Sequence, residues 1–217
     1  MIGLDPATGI YEQFDGYHAL EPLNLAAYAD RTEPIDVVIG RQRTQRPQVV
    51  KQADVVALMA LLPEEFPGAM AEKNFRHYEP RCAHGSSLSA GMHALVAARL
   101  GDAETALRYL REAAATDLDL DPNSAGGVRI AGLGGMWQAV ILGFAGLKMG
   151  DILEVDRKLP AQWRSLSNRV CWRGRVVMVR ITGRTVQATL VNGEAMEMRI
   201  GAAVRKLKAG ATLEMLM

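Results

Sequence analysis

The sequence predicts a mainly α-helical chain that ends in a small antiparallel β domain. Three observations carry that reading. Residues 86–114 hold two helical stripes that meet at Gly101. A Gly-rich, almost wholly apolar run follows, from about Ala125 to Met149. After Gly150 the apolar period changes from helical spacing to alternation. The chain therefore divides into residues 1–149 and 150–217.

The elements follow in order. Residues 1–46 show little periodicity, with turn chemistry at PATG and RTEP and aromatic residues Tyr11, Phe14, Tyr17 and Tyr28 among polar neighbours. A packed, irregular segment fits that mixture. Gln48 to Leu62 reads as a nearly all-apolar helix, closed by Pro63 and Pro67. Such a helix is buried, so Lys51 and Gln52 must aim at partners or a polar cavity. Ser86 to Leu100 is a further helix, with serines placed to cap its start. Asp102 caps an amphipathic helix whose stripe is Ala103, Ala106, Leu107, Leu110, Ala113 and Ala114. Gly101 makes these two helices antiparallel neighbours. In the tail, Val177, Val179 and Ile181, then Val186, Ala188 and Leu190, then Met196, Met198 and Ile200 alternate with other side chains. Asn192-Gly193 between the last two runs predicts a hairpin.

Bulk properties narrow the function classes. The chain has 217 residues, 49% hydrophobic and 23% charged, an ordinary balance for a soluble globular protein. A net charge of +1 gives no broad footprint for nucleic acid or a membrane. Two cysteines, Cys82 and Cys171, in segments of different character argue against a disulfide scaffold and for a reducing cytoplasm. MIGLDPATGI is not a secretory signal. Ile130 to Leu147 sits at the lower length limit of a membrane span. Its clustered glycines Gly132, Gly134 and Gly135 favour a buried helix of a soluble core instead.

The residues with chemistry are few. HGSSLS at 84–89 puts Ser86 and Ser87 at a helix start, either as ordinary caps or as hydroxyls around an anion. Arg129 is either a surface cation or an anion anchor. Glu79 and Asp15 either hold polar ligands or pair with Arg81 or Arg76. His84 is either part of an anion site or structural, and His18, His77 and His93 read as structural or surface residues. No spacing of His, Cys, Asp or Glu suggests a metal.

Five segments in order resemble glycoside hydrolase family 65. They are GIYEQFDGY at 9–17, KQADV at 51–55, YEPRCAHGSSLS at 78–89, GGVRIAGLGGMWQAVILGFAGL at 126–147, and DILEVDRKLPAQWRSL at 151–166. The resemblance implies the second half of an (α/α)6 barrel followed by a β-sandwich. It implies inverting phosphorolysis of maltose-, trehalose- or kojibiose-type disaccharides to β-glucose 1-phosphate and glucose. Hydrolysis of the same α-linked disaccharides is the alternative within the family. Inorganic phosphate is the co-substrate, and no cofactor is implied. By the same resemblance Lys51 and Gln52 bind the glucosyl unit, and Ser86 and Ser87 bind phosphate. Arg129 stands where phosphorylases of the family carry His; it either keeps the anion or marks another specificity.

One departure matters. The family's large N-terminal β-sandwich, the first half of the barrel and the general-acid Glu have no counterpart here, so no residue is assigned as catalytic. The expectation is a truncated frame or half of a split enzyme. It would associate with the missing half or with a second copy. A catalytically inactive carbohydrate-binding or assembly fragment is the alternative from another class, because half a barrel exposes apolar helix faces.

Overall fold

A computed structural model describes residues 3–118 and 128–216. Gly126 and Gly127, which open the fourth motif, lie outside the described residues. The chain begins with a small ribbon, β1 (Leu4–Asp5) and β2 (Ile10–Tyr11), then short 3₁₀ turns and a single helical turn, α1 (Ile35–Val38). This irregular segment is held to α3 (Ala69–Tyr78) by polar groups. The buried Asn74 side chain accepts from Tyr11 N at 2.9 Å and donates to Gly9 O at 3.1 Å. Tyr17 is fully buried against Tyr78, and the Tyr78 hydroxyl donates to Tyr11 O.

The expected helix from Gln48 starts later. Helix α2 spans Asp54–Leu61. Residues 47–51 are not helical, because backbone groups of Val50 and Lys51 are taken elsewhere. Val50 N donates to Arg81 O at 3.0 Å, Ala83 N to Val50 O at 2.8 Å, and Gly85 N to Lys51 O at 2.9 Å. Gln13, from the first motif, then caps α2: its Oε1 accepts from Asp54 N at 3.0 Å. Lys51 and Gln52 are thus exposed residues on the approach to a helix, and not members of a buried one.

Helices α4 (Ser87–Leu100) and α5 (Ala103–Leu118) follow the predicted pair. Gly101 turns in the left-handed region, and Asp102 Oδ1 accepts from Thr105 N at 3.1 Å as the cap. Ser86 precedes α4 with extended backbone but makes no side-chain cap bond, contrary to the expected capping. Helix α6 (Ile130–Gln138) runs into a π turn over Ala139–Phe144, where Ala145 N reaches Val140 O. Only one face of this stretch is buried: Gly132, Gly135, Ala139 and Phe144 are inside, while Ile130 and Trp137 are exposed. Among the described residues no helix is long and apolar enough to cross a membrane.

The tail forms two four-stranded sheets around a second core. One sheet has the order β10-β7-β6-β5, from β5 (Ser165–Trp172), β6 (Arg175–Thr182), β7 (Thr185–Asn192) and β10 (Thr212–Leu216), all antiparallel. The other has the order β3-β4-β8-β9, from β3 (Leu147–Met149), β4 (Leu153–Val155), β8 (Met196–Ile200) and β9 (Ala203–Leu207). The alternating residues named from the sequence all point inward. Two expectations fail. The sheets are not wholly antiparallel, because β4 and β8 pair in parallel. Asn192-Gly193 does not close a hairpin: β7 and β8 belong to different sheets, so the chain crosses between layers there. Gly193 packs against the neighbouring turn, and a Cβ would lie 2.8 Å from Arg175 Cγ. The two-residue hairpin that the sequence reading missed is Arg173-Gly174, with both residues at positive φ, joining β5 to β6.

Candidate anion and sugar site

Helices α4 and α6 cross with almost no side chain between them. A Cβ on Gly91 would lie 2.8 Å from Gly135 C, and one on Gly132 would lie 3.2 Å from Ser87 O. Further along, Gly143 faces Leu95 and Ala98. Contacts therefore advance together along both helices, so the two run parallel and open their N-termini at the same end. Ser86 and Ser87 lie at one N-terminus and Arg129 at the other. Each helix start carries a partial positive charge.

Lys51 joins this end through the loop before α4. Its backbone oxygen holds Gly85 N, and its side chain lies over Gly85, where a Cβ would meet Lys51 Cγ at 3.0 Å. Gln52 donates from Nε2 to Asp54 Oδ1 at 3.2 Å. It lines a groove of about 400 Å³ together with Leu61, Leu88, His93, Ala131 and Gln138. Lys51 thus lies against the loop that leads into α4, Ser87 against the start of α6, and Gln52 in a groove that Leu88 and Ala131 also line.

Before and after the serines in sequence stand members of a partly buried chain of hydrogen bonds that the motifs do not reveal. Tyr109 OH donates to Glu79 Oε1 at 2.8 Å, and Arg108 donates to the same oxygen at 2.7 Å. Tyr109 has one proton, so His84 Nε2, 3.1 Å away, is the donor to it. His84 Nδ1 then carries a lone pair and accepts from Ser89 Oγ at 2.9 Å. Ser89 Oγ, 3.2 Å from Cys82 Sγ, accepts the thiol proton. Burial holds His84 neutral, with its pKa down at about 3, helped by the neighbouring His93, Arg108 and Arg31. Burial likewise lowers His93 to about 4, and it pushes the Cys82 thiol and the Tyr109 hydroxyl up. His84 itself stands at φ 51°, the left-handed region, so the bonds on both its ring nitrogens fix a strained turn directly before Gly85.

Several readings change. Glu79 pairs with Arg108 and Tyr109, while Arg81 reaches His77 O and Gln48, and Arg76 reaches Asp102. Asp15 is exposed. Of the two readings of His93, structural or surface, its full burial fits the first. Sequence spacing suggested no metal, yet Cys82, His84 and His93 each bring one donor atom within 4.8 Å of the other two. The signal was present in a C-x-H step followed by a His inside an apolar helix. It was hard to see because folding, not spacing, brings residue 93 back over residues 82–84.

The comparisons with known proteins identify the family. The central catalytic domain of glycosyl hydrolase family 65 matches residues 2–138, and the family's C-terminal domain matches residues 147–202. A kojibiose phosphorylase of Halothermothrix orenii is 36% identical over 85% of this chain and 24% of its own length. A 1,2-alpha-glucosylglycerol phosphorylase of Bacillus selenitireducens is 36% identical over 83% of this chain and 25% of its own. A solved structure assigned as a kojibiose phosphorylase from the human microbiome superposes with a TM-score of 0.89 at 25% identity, over all of this chain and 29% of that one. The chain spans about a quarter of the length of the curated relatives it matches. With more than half of its length matched by the catalytic domain and residues 147–202 by the domain that follows, the chain belongs to glycoside hydrolase family 65.

Proposed function

We propose that this chain forms the phosphate- and glucosyl-binding side of an inverting phosphorylase of α-linked glucosyl disaccharides. The observation that carries the reading is the pair of parallel helix N-termini opening together at Ser86 and Ser87. In inverting glycoside cleavage an acid protonates the leaving oxygen while a nucleophile attacks from the opposite face. Phosphate needs no base to activate it. It needs to be held in line, and backbone N–H groups, hydroxyls and a cation do that. Ser86 and Ser87 supply the hydroxyls, and Lys51 or Arg129 the charge. No carboxylate lies within HGSSLS to activate a water, which favours phosphorolysis over hydrolysis. Lys51, over Gly85, and Gln52, along the groove, hold glucosyl hydroxyls. The proton donor comes from the part of the relatives that this chain does not match, and that part also completes an (α/α)6 barrel.

A calorimetric titration of inorganic phosphate tests the site on this chain directly. Hydrogen bonds to a charged group contribute about 1.5–3 kcal/mol, so Ser86→Ala and Ser87→Ala each weaken binding by about tenfold or more. Unchanged affinity in both variants, or no phosphate binding by the wild type, overturns the assignment.

A second feature favours association with another polypeptide. Leu61, Ile130 and Trp137 are 65%, 80% and 52% exposed, and Leu61 lines the groove itself. Apolar side chains of that size left outside a core mark an interaction face. The remaining half of the barrel is the occupant that fits the phosphorylase reading.

A further inference from the structure

We propose that Cys82, His84 and His93 form a binding site for one thiophilic d-block cation, with zinc(II) the reference ion. The three residues are contributed by the loop before α4 and by the first half of α4 itself. One donor atom from each lies within 4.8 Å of the others, and Cys82 Sγ is 3.8 Å from His84 Nδ1. Ligands at about 2.3 Å for sulfur and 2.0–2.1 Å for nitrogen in a tetrahedral shell stand about 3.5 Å apart. The thiol and the imidazole are thus nearly at bonding separation already.

The surroundings match what metal-binding imidazoles require. Such a histidine donates its other ring N–H to a protein acceptor, which fixes the tautomer and aims the lone pair. His84 gives Nε2–H to Tyr109, itself anchored on Glu79, and keeps the lone pair on Nδ1. His93 gives Nδ1–H to Ser89 O at 2.8 Å, which leaves its lone pair on Nε2. That nitrogen is buried and has no hydrogen-bond partner, although His93 is only 1% exposed. A buried polar atom without a partner is costly, and a cation would satisfy it.

Ser89 makes occupancy possible without rearranging the backbone. Its hydroxyl donates to His84 Nδ1 while the thiol donates to it. Rotation of that hydroxyl frees Nδ1 and turns its proton toward the sulfur. The thiol proton leaves to solvent, a thiolate–metal bond forms, and one positive charge is released as H⁺ for each ion bound. Ser89 and His93 both line the 400 Å³ groove, which is the route of entry. Thiolate with imidazole selects zinc or copper(I) over magnesium or calcium, which take oxygen ligands. The site is independent of the phosphate assignment, and its test requires no catalysis.

The test is a titration of the purified, metal-free chain with cobalt(II), followed by competition with zinc(II). One equivalent is expected to give tetrahedral d–d bands and a near-ultraviolet thiolate-to-cobalt band, all displaced by zinc. Cys171→Ser, which removes the other, exposed cysteine, leaves the spectrum unchanged. Cys82→Ser abolishes the thiolate band, and His93→Gln weakens binding at least tenfold, with folding of each checked by circular dichroism. The wild-type titration decides the matter even where a variant does not fold. Absence of the thiolate band at stoichiometric cobalt overturns the proposal, as does its loss in Cys171→Ser rather than Cys82→Ser.

Discussion

His77 is packed edge-on against Tyr17, His18 and Tyr78, and Arg81 donates to its backbone oxygen. Burial lowers its pKa to about 4, with Arg81 and His18 adding to the effect. The unfolded chain therefore binds a proton near pH 6.5 that the folded chain refuses until about pH 4. Its contribution to stability is full above pH 6.5, falls as the pH drops toward 4, and levels below that. Melting temperatures of the wild type and His77→Phe across pH 4–7.5 check this: the variant's curve is flatter, and the remaining slope belongs to His84 and His93 and, toward pH 4, to the hydrogen-bonded carboxylates Asp5 and Asp102. Identical slopes contradict it. At this scale the sequence was partly legible. Ser86 and Ser87 were legible as the start of a helix, where serine is favoured, although Ser86 makes no cap bond. The chain from Cys82 to Glu79 was not, because it depends on the ring of Tyr109, from α5, meeting His84, from the loop before α4. Tyr109 had no place in the expected apolar stripe, yet it is buried beside Ala106 and Ala113.

Among the elements, the α4–α6 crossing controls the geometry of the proposed site. Gly91 meets backbone of α6, which cannot yield, whereas a Cβ on Gly135 meets the flexible end of Met92 at 3.3 Å and Gly91 Cα at 3.7 Å. Gly91→Ala is therefore expected to cost about 1–3 kcal/mol or more through overpacking. Gly135→Ala costs less, or gains from the better helix propensity of Ala. Chemical denaturation of the two variants compares them directly, and equal losses would show that the helices are not in close contact. The glycines of α6 speak in the sequence only against a membrane span; the use of Gly132 and Gly135, to let two helices touch, emerges only from the pairing. The start of α2 was misread for a related reason. Val49, Val50 and Ala53 suit a buried helix or a buried strand equally, and long-range bonds to Arg81 and Ala83 decide between them. Asn192-Gly193 failed as a hairpin because turn chemistry describes local backbone. It does not say which sheet the next strand joins.

At the scale of the molecule there are two cores. One is built from the helices and the aromatic N-terminal segment, the other from the two sheets, with Ile141, Ala145 and Leu147 at the end of the π turn packed into the second. The period-2 tail was the most legible feature, because inward alternation reports burial directly. The helical half was legible as helices but not in its pairing, since the apolar spacing that marks a helix does not name its neighbour. The proposed division of labour, with phosphate and glucose held here and the proton donor elsewhere, makes a claim about the assembled catalytic domain. This chain alone is expected to show no turnover of kojibiose, maltose or trehalose, because protonation of the leaving oxygen needs an acid opposite the nucleophile. The most direct measurement joins this chain to the N-terminal three-quarters of a kojibiose phosphorylase relative and follows glucose release with and without inorganic phosphate. The account predicts release that requires phosphate and yields glucose 1-phosphate, and that falls at least tenfold in Ser86→Ala. Release of glucose at the same rate without phosphate, or turnover by this chain by itself, would contradict it.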